Sequence, residues 1–426
     1  MNAIAEELAL GKYDIVCLQE VWSENDYIDI KKLTLRVLPY SHYFYSGVFG
    51  SGVCIFSRYT IENVFFHQWP LNGYVHKLHH GDWFGGKGIG LCRVKCKGIN
   101  INIYSAHIIF IKIFIPTGKY TCAQDSPFLK PRIFQLHAEY NRRNDEYMAH
   151  RVLQAFDMSQ FISITSTNAD IVILGGDLNT EPGDLAYRII CHNAQVQDSF
   201  LQAQQVSVDY VGTNESSRNS YSDKKLCMKK PAGNRIDYIM YKCRRGIEVQ
   251  CLKYQFPLPE RVPKQNFSFS DHEALQVSFR VIRTSNGKYF AFTLKCSSCK
   301  VHIPDSVFLF QASEDALENK EEYMKALKES RAVCDAALGR LHQDKRSYWI
   351  YSAAFFLTLL CTIGLEAPLS CFKTYNIIRV VVTILLCFTI FMATIWNRME
   401  VNAILTGKLG IEVVHSNLED CNSDER

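Results

Sequence analysis

The chain lacks the biases that would take it out of the globular class. Twelve prolines and 23 glycines in 426 residues are too few for a collagen-like or disordered polymer. A net charge of only +4 gives a chain of this length no strong field with which to hold nucleic acid. The opening residues Met1-Asn2-Ala3-Ile4-Ala5-Glu6-Glu7 have neither a basic n-region nor an apolar core, so no secretory signal peptide is expected. No internal repeat is present. The 16 cysteines are irregularly spaced and read as mostly reduced thiols. Cys296-Ser297-Ser298-Cys299 has the spacing of half a zinc site, but no second CxxC or HxxxH follows to complete it.

Apolar residues are abundant, at 47%, and unevenly placed. Residues 348–365 form a run of 18 without a charge, and 380–396 a run of 17. Each is just long enough to cross a hydrocarbon layer of about 30 Å, the second being extended by Ile377 and Ile378 beyond Arg379. The connection 366–376 contains Pro368 and is too short for a domain, so a transmembrane helical hairpin over 347–397 is expected. The alternative is a pair of buried helices in a soluble core. Arg340, Lys345 and Arg346 precede the first run and Arg398 and Lys408 follow the second, against Lys373 and Arg379 near the connection. That bias predicts an integral membrane protein whose large N-terminal part is cytosolic; an endoplasmic reticulum or other intracellular membrane is the expected location, which the charge bias does not itself select. Upstream, 283–346 reads as a linker and a charged helix, with Glu321 four before Lys325, able to run straight into the first span. Downstream, 398–426 reads as an acidic cytosolic tail, disordered after Lys408.

Residues 1–282 alternate β-branched runs (14–18, 52–56, 89–94, 99–104, 171–174, 235–241, 275–281) with amphipathic stretches such as 139–162. The pattern predicts an α/β sandwich. Three strand ends carry chemistry: Leu18-Gln19-Glu20-Val21, Gly175-Gly176-Asp177-Leu178-Asn179 and Ser270-Asp271-His272-Glu273. Alone, each reads equally as a cap, a turn or a surface group. Their occurrence in this order is more specific.

With Arg235-Ile236-Asp237-Tyr238-Ile239, these motifs resemble the endonuclease/exonuclease/phosphatase superfamily, and within it the membrane-anchored neutral sphingomyelinases. The narrower likeness rests on Glu20-Val21-Trp22-Ser23, Gly50-Ser51-Gly52-Val53-Cys54-Ile55-Phe56-Ser57, Leu71-Asn72-Gly73-Tyr74, the stretch from His79 through Asp82 to Lys87, and His137-Ala138-Glu139-Tyr140-Asn141. The resemblance implies a four-layer sandwich of two β-sheets flanked by helices, deoxyribonuclease I-like, plus the C-terminal hairpin. It implies Mg²⁺-dependent hydrolysis of sphingomyelin to ceramide and phosphocholine, with lysophospholipids as possible further substrates, at a lipid bilayer and without nucleic acid. Glu20 would be the direct metal ligand, with Asp271 contributing through the metal or its waters. His272 would be the general base, an imidazole whose ordinary pKa suits neutral pH, and Asp237 its partner. Asp177 and Asn179 would orient water or phosphate, and His107 would donate to a phosphoryl oxygen. Asp82 and Lys87 match an Asp-to-Lys motif for substrate binding, in which the lysine would meet the substrate phosphate. Trp69, Leu71, Tyr74, Trp83 and Phe84 are candidates for membrane contact or for the core, and His76, His79 and His80 for a groove or surface.

Two departures from the family pattern stand out. The family's first strand, with its Asn motif, is absent, so the natural protein is expected to begin about thirty residues upstream; a core strand missing from a sheet would leave its neighbours' edges unpaired. Residues 108–135 separate His107 from Leu136, and their removal would restore Ala106-His107-Leu136-His137-Ala138-Glu139. That segment reads as retained intron or misassigned exon, or as a membrane-dipping loop. An inactive membrane protein keeping the fold is therefore the alternative function, and an anchored nuclease or inositol phosphatase a third.

Overall fold

The computed structural model describes residues 2–75, 83–108, 145, 147–208, 210–285, 288–295, 314–364 and 372–423. The pair Cys296 and Cys299, the histidines His76, His79 and His80, Asp82 and nearly all of the 108–135 segment lie outside them. Contacts divide the chain into two units, Met1–Tyr323 and Met324–Arg426.

The first unit opens with α1 (Asn2–Ala9), β1 (Ile15–Leu18), α2 (Glu24–Thr34), β2 (Tyr40–Tyr43), β3 (Cys54–Ser57), β4 (Ile61–Gln68), β5 (Gly88–Cys96) and β6 (Ile99–His107). It continues with α3 (Met148–Thr165), β7 (Ile171–Asp177), α4 (Leu185–Ala194), β8 (Gln197–Asp198), α5 (Ser199–Gln202), β9 (Gln205–Ser207) and α6 (Lys224–Lys229). The last strands are β10 (Asp237–Cys243), β11 (Ile247–Gln255), β12 (Gln276–Ser285) and β13 (Lys288–Lys295).

A six-stranded sheet in the order β4-β5-β6-β7-β10-β8 forms one layer. The facing layer is in two pieces, β1-β3-β2 and β13-β12-β11-β9. One core joins all three sheets: Val53 and Ile55 from the smallest, Cys92, Ile101, Ile103 and Ile173 from the largest, and Cys251, Val277 and Phe279 from the third. Ala5 and Leu8 of α1 and Tyr27 and Ile30 of α2 cover the far side of β1-β3-β2, against Cys54 and Phe56. Phe161 of α3 packs edge-on against Tyr104 of β6, and α3 lies beside α4. The result is helix, divided sheet, sheet, helix, the expected four-layer sandwich. The division arises because β1 is hydrogen-bonded to β3 on one side and, among the described residues, to no strand on the other.

Seven of the strands follow from β-branched runs. Others did not announce themselves: β4 is exposed along most of its length and β9 throughout, and the four residues of β2 grade from exposed Tyr40 to buried Tyr43, which leaves no apolar alternation to read. Helix α3 begins at Met148, and most of 139–147 lies outside the described residues.

Helix α7 (Glu314–Gly364) supplies the second unit from Met324 onward, followed by α8 (Phe372–Phe391), a π turn (Met392–Trp396) and α9 (Asn397–Ser423). The charged helix and the first apolar run are thus one continuous helix. Ser352 Oγ donates to Thr389 Oγ1 over 2.8 Å, Tyr375 and Arg379 donate to the Thr362 carbonyl, and Asn397 Nδ2 donates to the Leu341 carbonyl at 2.8 Å. Among the described residues, one helical stretch, Thr374–Asp420, is long and apolar enough to cross a membrane, with a mean hydropathy of 2.4 in its richest window. The expected disorder of the tail is corrected: α9 is helical to Ser423. Ile404 and Ile411, seven apart, are buried on one face. Lys408 on the same helix pairs with Asp335 of α7 at 2.6 Å, and Glu412 with Arg331 at 3.1 Å.

Candidate active site

Three neighbouring strands of the large sheet end in polar residues at one level. In the hydrogen-bond register His107 of β6 stands opposite Asp177 of β7, and Asp177 opposite Asp237 of β10. The ladder that fixes the core therefore also fixes this row. Gly176 permits the close approach of β6 and β7: a Cβ there would sit 2.0 Å from the Ala106 carbonyl oxygen. Asn179, two residues on, has φ 45°, donates its amide to Asp177 Oδ1 (3.0 Å) and its side chain to the Ile108 carbonyl (2.9 Å).

His272 reaches the row from the loop before β12. Asn214 ties that loop down through bridges to both Asn234 and His272. His272 Nδ1 lies 2.9 and 3.1 Å from the two oxygens of Asp237. Burial works against the charged imidazole, yet Asp237, Asp177 and Asp271 together raise its pKa well above 6.5. Burial and the charge of Asp237 push the Asp177 carboxyl up.

His107 is fully enclosed, with Nε2 3.8 Å from Asp177 Oδ2 and 3.9 Å from Glu20 Oε1. Burial, then Lys87 and His272, hold its pKa well below 6.5, so it is a neutral imidazole. Glu20 ends β1 with φ 60° and a half-exposed side chain. Lys87 is buried near His107; its expected companion Asp82 lies outside the described residues. Asp271 accepts from Ser270 Oγ at 3.3 Å.

The ligand-bearing atoms of Asp177, Asp237 and His272 lie within 4.8 Å of one another. Carboxylate oxygens, Glu20 beside them and the buried Asn179 Oδ1, which has no hydrogen-bond partner among the described residues, suit a hard, oxygen-seeking cation such as Mg²⁺. His272 Nδ1 is already engaged by Asp237, which leaves Nε2 as the nitrogen through which it could take a proton or a ligand. The structure thus brings His107, Asp177, Asn179, Asp237, His272, Glu20 and Lys87 to one region, with Asp271 adjoining through His272.

Two supporting residues carried no recognisable signal. Arg235, read only as a motif letter, makes a buried ion pair with Asp198 at 2.7 Å and stacks on Phe200 and Tyr238, fixing the start of β10. Trp69 belongs to the core rather than a membrane face: it is buried and donates Nε1 to the His107 carbonyl at 3.0 Å. Leu71 is buried too, and Tyr74 packs against Tyr147 and His150.

A sequence model of the Endonuclease/Exonuclease/phosphatase family matches residues 1–272. A putative neutral sphingomyelinase of Drosophila melanogaster is 36% identical over 441 aligned residues, covering 97% of this chain and 92% of the relative. Sphingomyelin phosphodiesterase 2 of Mus musculus is 36% identical over 283 residues, 66% of this chain and 60% of the relative. Among solved structures, sphingomyelinase C from Streptomyces griseocarneus overlaps with a TM-score of 0.39 at 14% identity, covering 68% of this chain and 88% of that one.

Proposed function

Because this chain belongs to the Endonuclease/Exonuclease/phosphatase family, in its neutral sphingomyelinase branch, we propose that it hydrolyses sphingomyelin to ceramide and phosphocholine. The proposal extends to Mg²⁺ dependence, to the cytosolic face of an intracellular membrane, and to lysophospholipids, which offer a comparable phosphodiester head. Residues 1–282 would form the catalytic region, 283–346 the connector and 347–397 the membrane anchor. The observation that carries the reading is the register row His107, Asp177, Asp237 with His272 locked onto its end, in a chain so closely matched along its length to a neutral sphingomyelinase relative.

In this reading water attacks phosphorus and the P–O bond to ceramide breaks, the ceramide oxygen leaving as a hydroxyl with a proton taken from solvent water. His272 takes the proton from the attacking water. Asp237 holds the imidazole through Nδ1, fixing its tautomer and stabilising the imidazolium as it forms. His107, kept neutral by its surroundings, retains one N–H to donate to a phosphoryl oxygen. Asp177 and Asn179 orient the water or phosphate, and the Lys87 ammonium meets phosphate charge. Glu20, assisted by Asp271, would hold the divalent cation. When bound, Mg²⁺ would supply charge relief to the phosphoryl oxygens and would offset the carboxylates that raise the His272 pKa.

The test is phosphocholine release from sphingomyelin by the purified full chain, with Mg²⁺ or with chelator. Release should be metal-dependent and fall at least about 10²-fold in His272→Ala. Unchanged release in that variant would eliminate His272 as the base. Absence of release from the wild type with Mg²⁺ would favour an inactive protein that keeps the fold.

A further inference from the structure

Two loops beside the site hold apolar side chains out in solvent. The loop between β2 and β3 carries Tyr45, Val48 and Phe49, which are 65, 73 and 58% exposed. The loop before β5 carries Trp83, also exposed. They are bound to each other: the Val48 and Phe49 amides both donate to the Phe84 carbonyl (2.9 and 3.2 Å), Gly47 bridges Gly85, and the Phe49 and Phe84 rings meet at 6.0 Å. A Cβ on Gly86 would fall 2.2 Å from Ser46 Oγ and 2.4 Å from the Gly47 nitrogen, so the two backbones touch. A pair of loops locked in this way cannot fold its apolar tips back into the core.

The same loops are continuous with the catalytic groups. The Gly86 amide donates to the Gly50 carbonyl, one residue before Lys87. The Val21 amide, next to Glu20, donates to the Gly52 carbonyl, and Tyr43 donates to the Val21 carbonyl. Residues 44–50 and 83–86 contain no charged side chain. An uncharged apolar tip matches the surface of a zwitterionic phospholipid bilayer, whereas a nucleic acid or an acidic membrane patch would call for basic residues.

We propose that Val48 and Phe49, with Tyr45 and Trp83 at their flank, dock into the surface of a choline-lipid bilayer and set the catalytic groups against its headgroups. This rests on the proposed phosphodiesterase activity for its kinetic reading only. Insertion of such side chains removes apolar area from water, so the surface gains affinity without touching the chemistry.

The full chain and its Val48→Ser/Phe49→Ser variant should be compared on two substrates: sphingomyelin diluted in detergent micelles, and water-soluble 4-nitrophenyl phosphocholine. The variant should need about tenfold or more sphingomyelin surface density to reach half its maximal rate, while turnover of the soluble ester stays the same. Equal behaviour on micelles, or a parallel loss on both substrates, would overturn the docking surface. As a readout independent of activity, Phe49→Trp is placed in vesicles of phosphatidylcholine with brominated acyl chains. Its added fluorescence should be quenched relative to unbrominated vesicles; no quenching refutes insertion. A wild type that hydrolyses neither substrate but shows the quenching would refute the enzymatic reading and keep the surface. Dissociation of a dimer by the double substitution would assign the patch to a second copy of the chain instead.

Discussion

Glu20 and Asn179 are the site residues whose backbones enter the left-handed region, at φ 60° and 45°. Asn adopts this conformation readily, but for Glu it costs on the order of 1 kcal/mol, which the hydrogen bond of the adjoining Val21 amide to Gly52 helps offset. Gly176 has no room for a side chain, and Gly176→Ala should lower stability by about 1–3 kcal/mol, read as a shift in denaturation midpoint. His272 must be neutral to accept a proton, and its surroundings raise its pKa, so activity should climb with pH as it deprotonates. Asp237→Asn removes the largest raising neighbour. In pH–rate profiles at saturating Mg²⁺, its acid limb should move to lower pH while the plateau falls about 10²- to 10⁴-fold. An unmoved limb would separate Asp237 from the base. At this scale the grouping of the site was legible, because Glu20, Asp177, Asn179 and His272 each stand beside turn residues next to an apolar run. The roles of Trp69 and Arg235 were not, since a hydrogen bond to a distant carbonyl and a buried ion pair leave no periodic trace in sequence.

At the level of elements, β10 is pinned by the Arg235–Asp198 pair, both partners being enclosed. Arg235→Met leaves a buried carboxylate without its cation and should cost about 3–5 kcal/mol, whereas Arg235→Met with Asp198→Leu should recover much of that loss in the same denaturation assay. Strand β4 and helix α3 are joined by His67 Nε2 and Asp157 Oδ2 at 2.7 Å, with the imidazole stacked on Phe161. The hydrogen bond to Asp157 raises the His67 pKa against the opposing effect of burial. Stability from this pair is therefore complete below the unfolded value of about 6.5 and is lost as pH rises through the folded one. The wild type should exceed His67→Gln in melting temperature more at about pH 5.5 than at about pH 8.5, by a margin of about 1 kcal/mol or less because both groups are partly exposed. Strands with β-branched interiors were readable beforehand and solvent-facing ones were not: β4 and β9 are held by ladder hydrogen bonds, which sequence does not display. The helical tail was misjudged for a related reason, its charge count hiding the spacing of Ile404 and Ile411 and the ion pairs with α7.

For the molecule as a whole, the 47% apolar content averages a folded catalytic region with long helices whose outward residues, among them Leu357, Ile363, Val380 and Ile384, remain exposed. If the basic residues at 340–346 and at Arg398 and Lys408 set the orientation, protease added to sealed intracellular vesicles should digest residues 1–282 without detergent. Protection of that region would reverse the assigned side. The division of one layer into two sheets also predicts how the protein wears out. His107, Asp177 and Asp237 sit on inner strands of the six-stranded sheet, while Glu20 follows β1, which among the described residues is laddered on a single side. Amides of β1 should exchange with deuterium well before those of β6 and β7. On gentle heating, activity should then disappear while most of the circular dichroism persists, and it should return on cooling as β1 settles back.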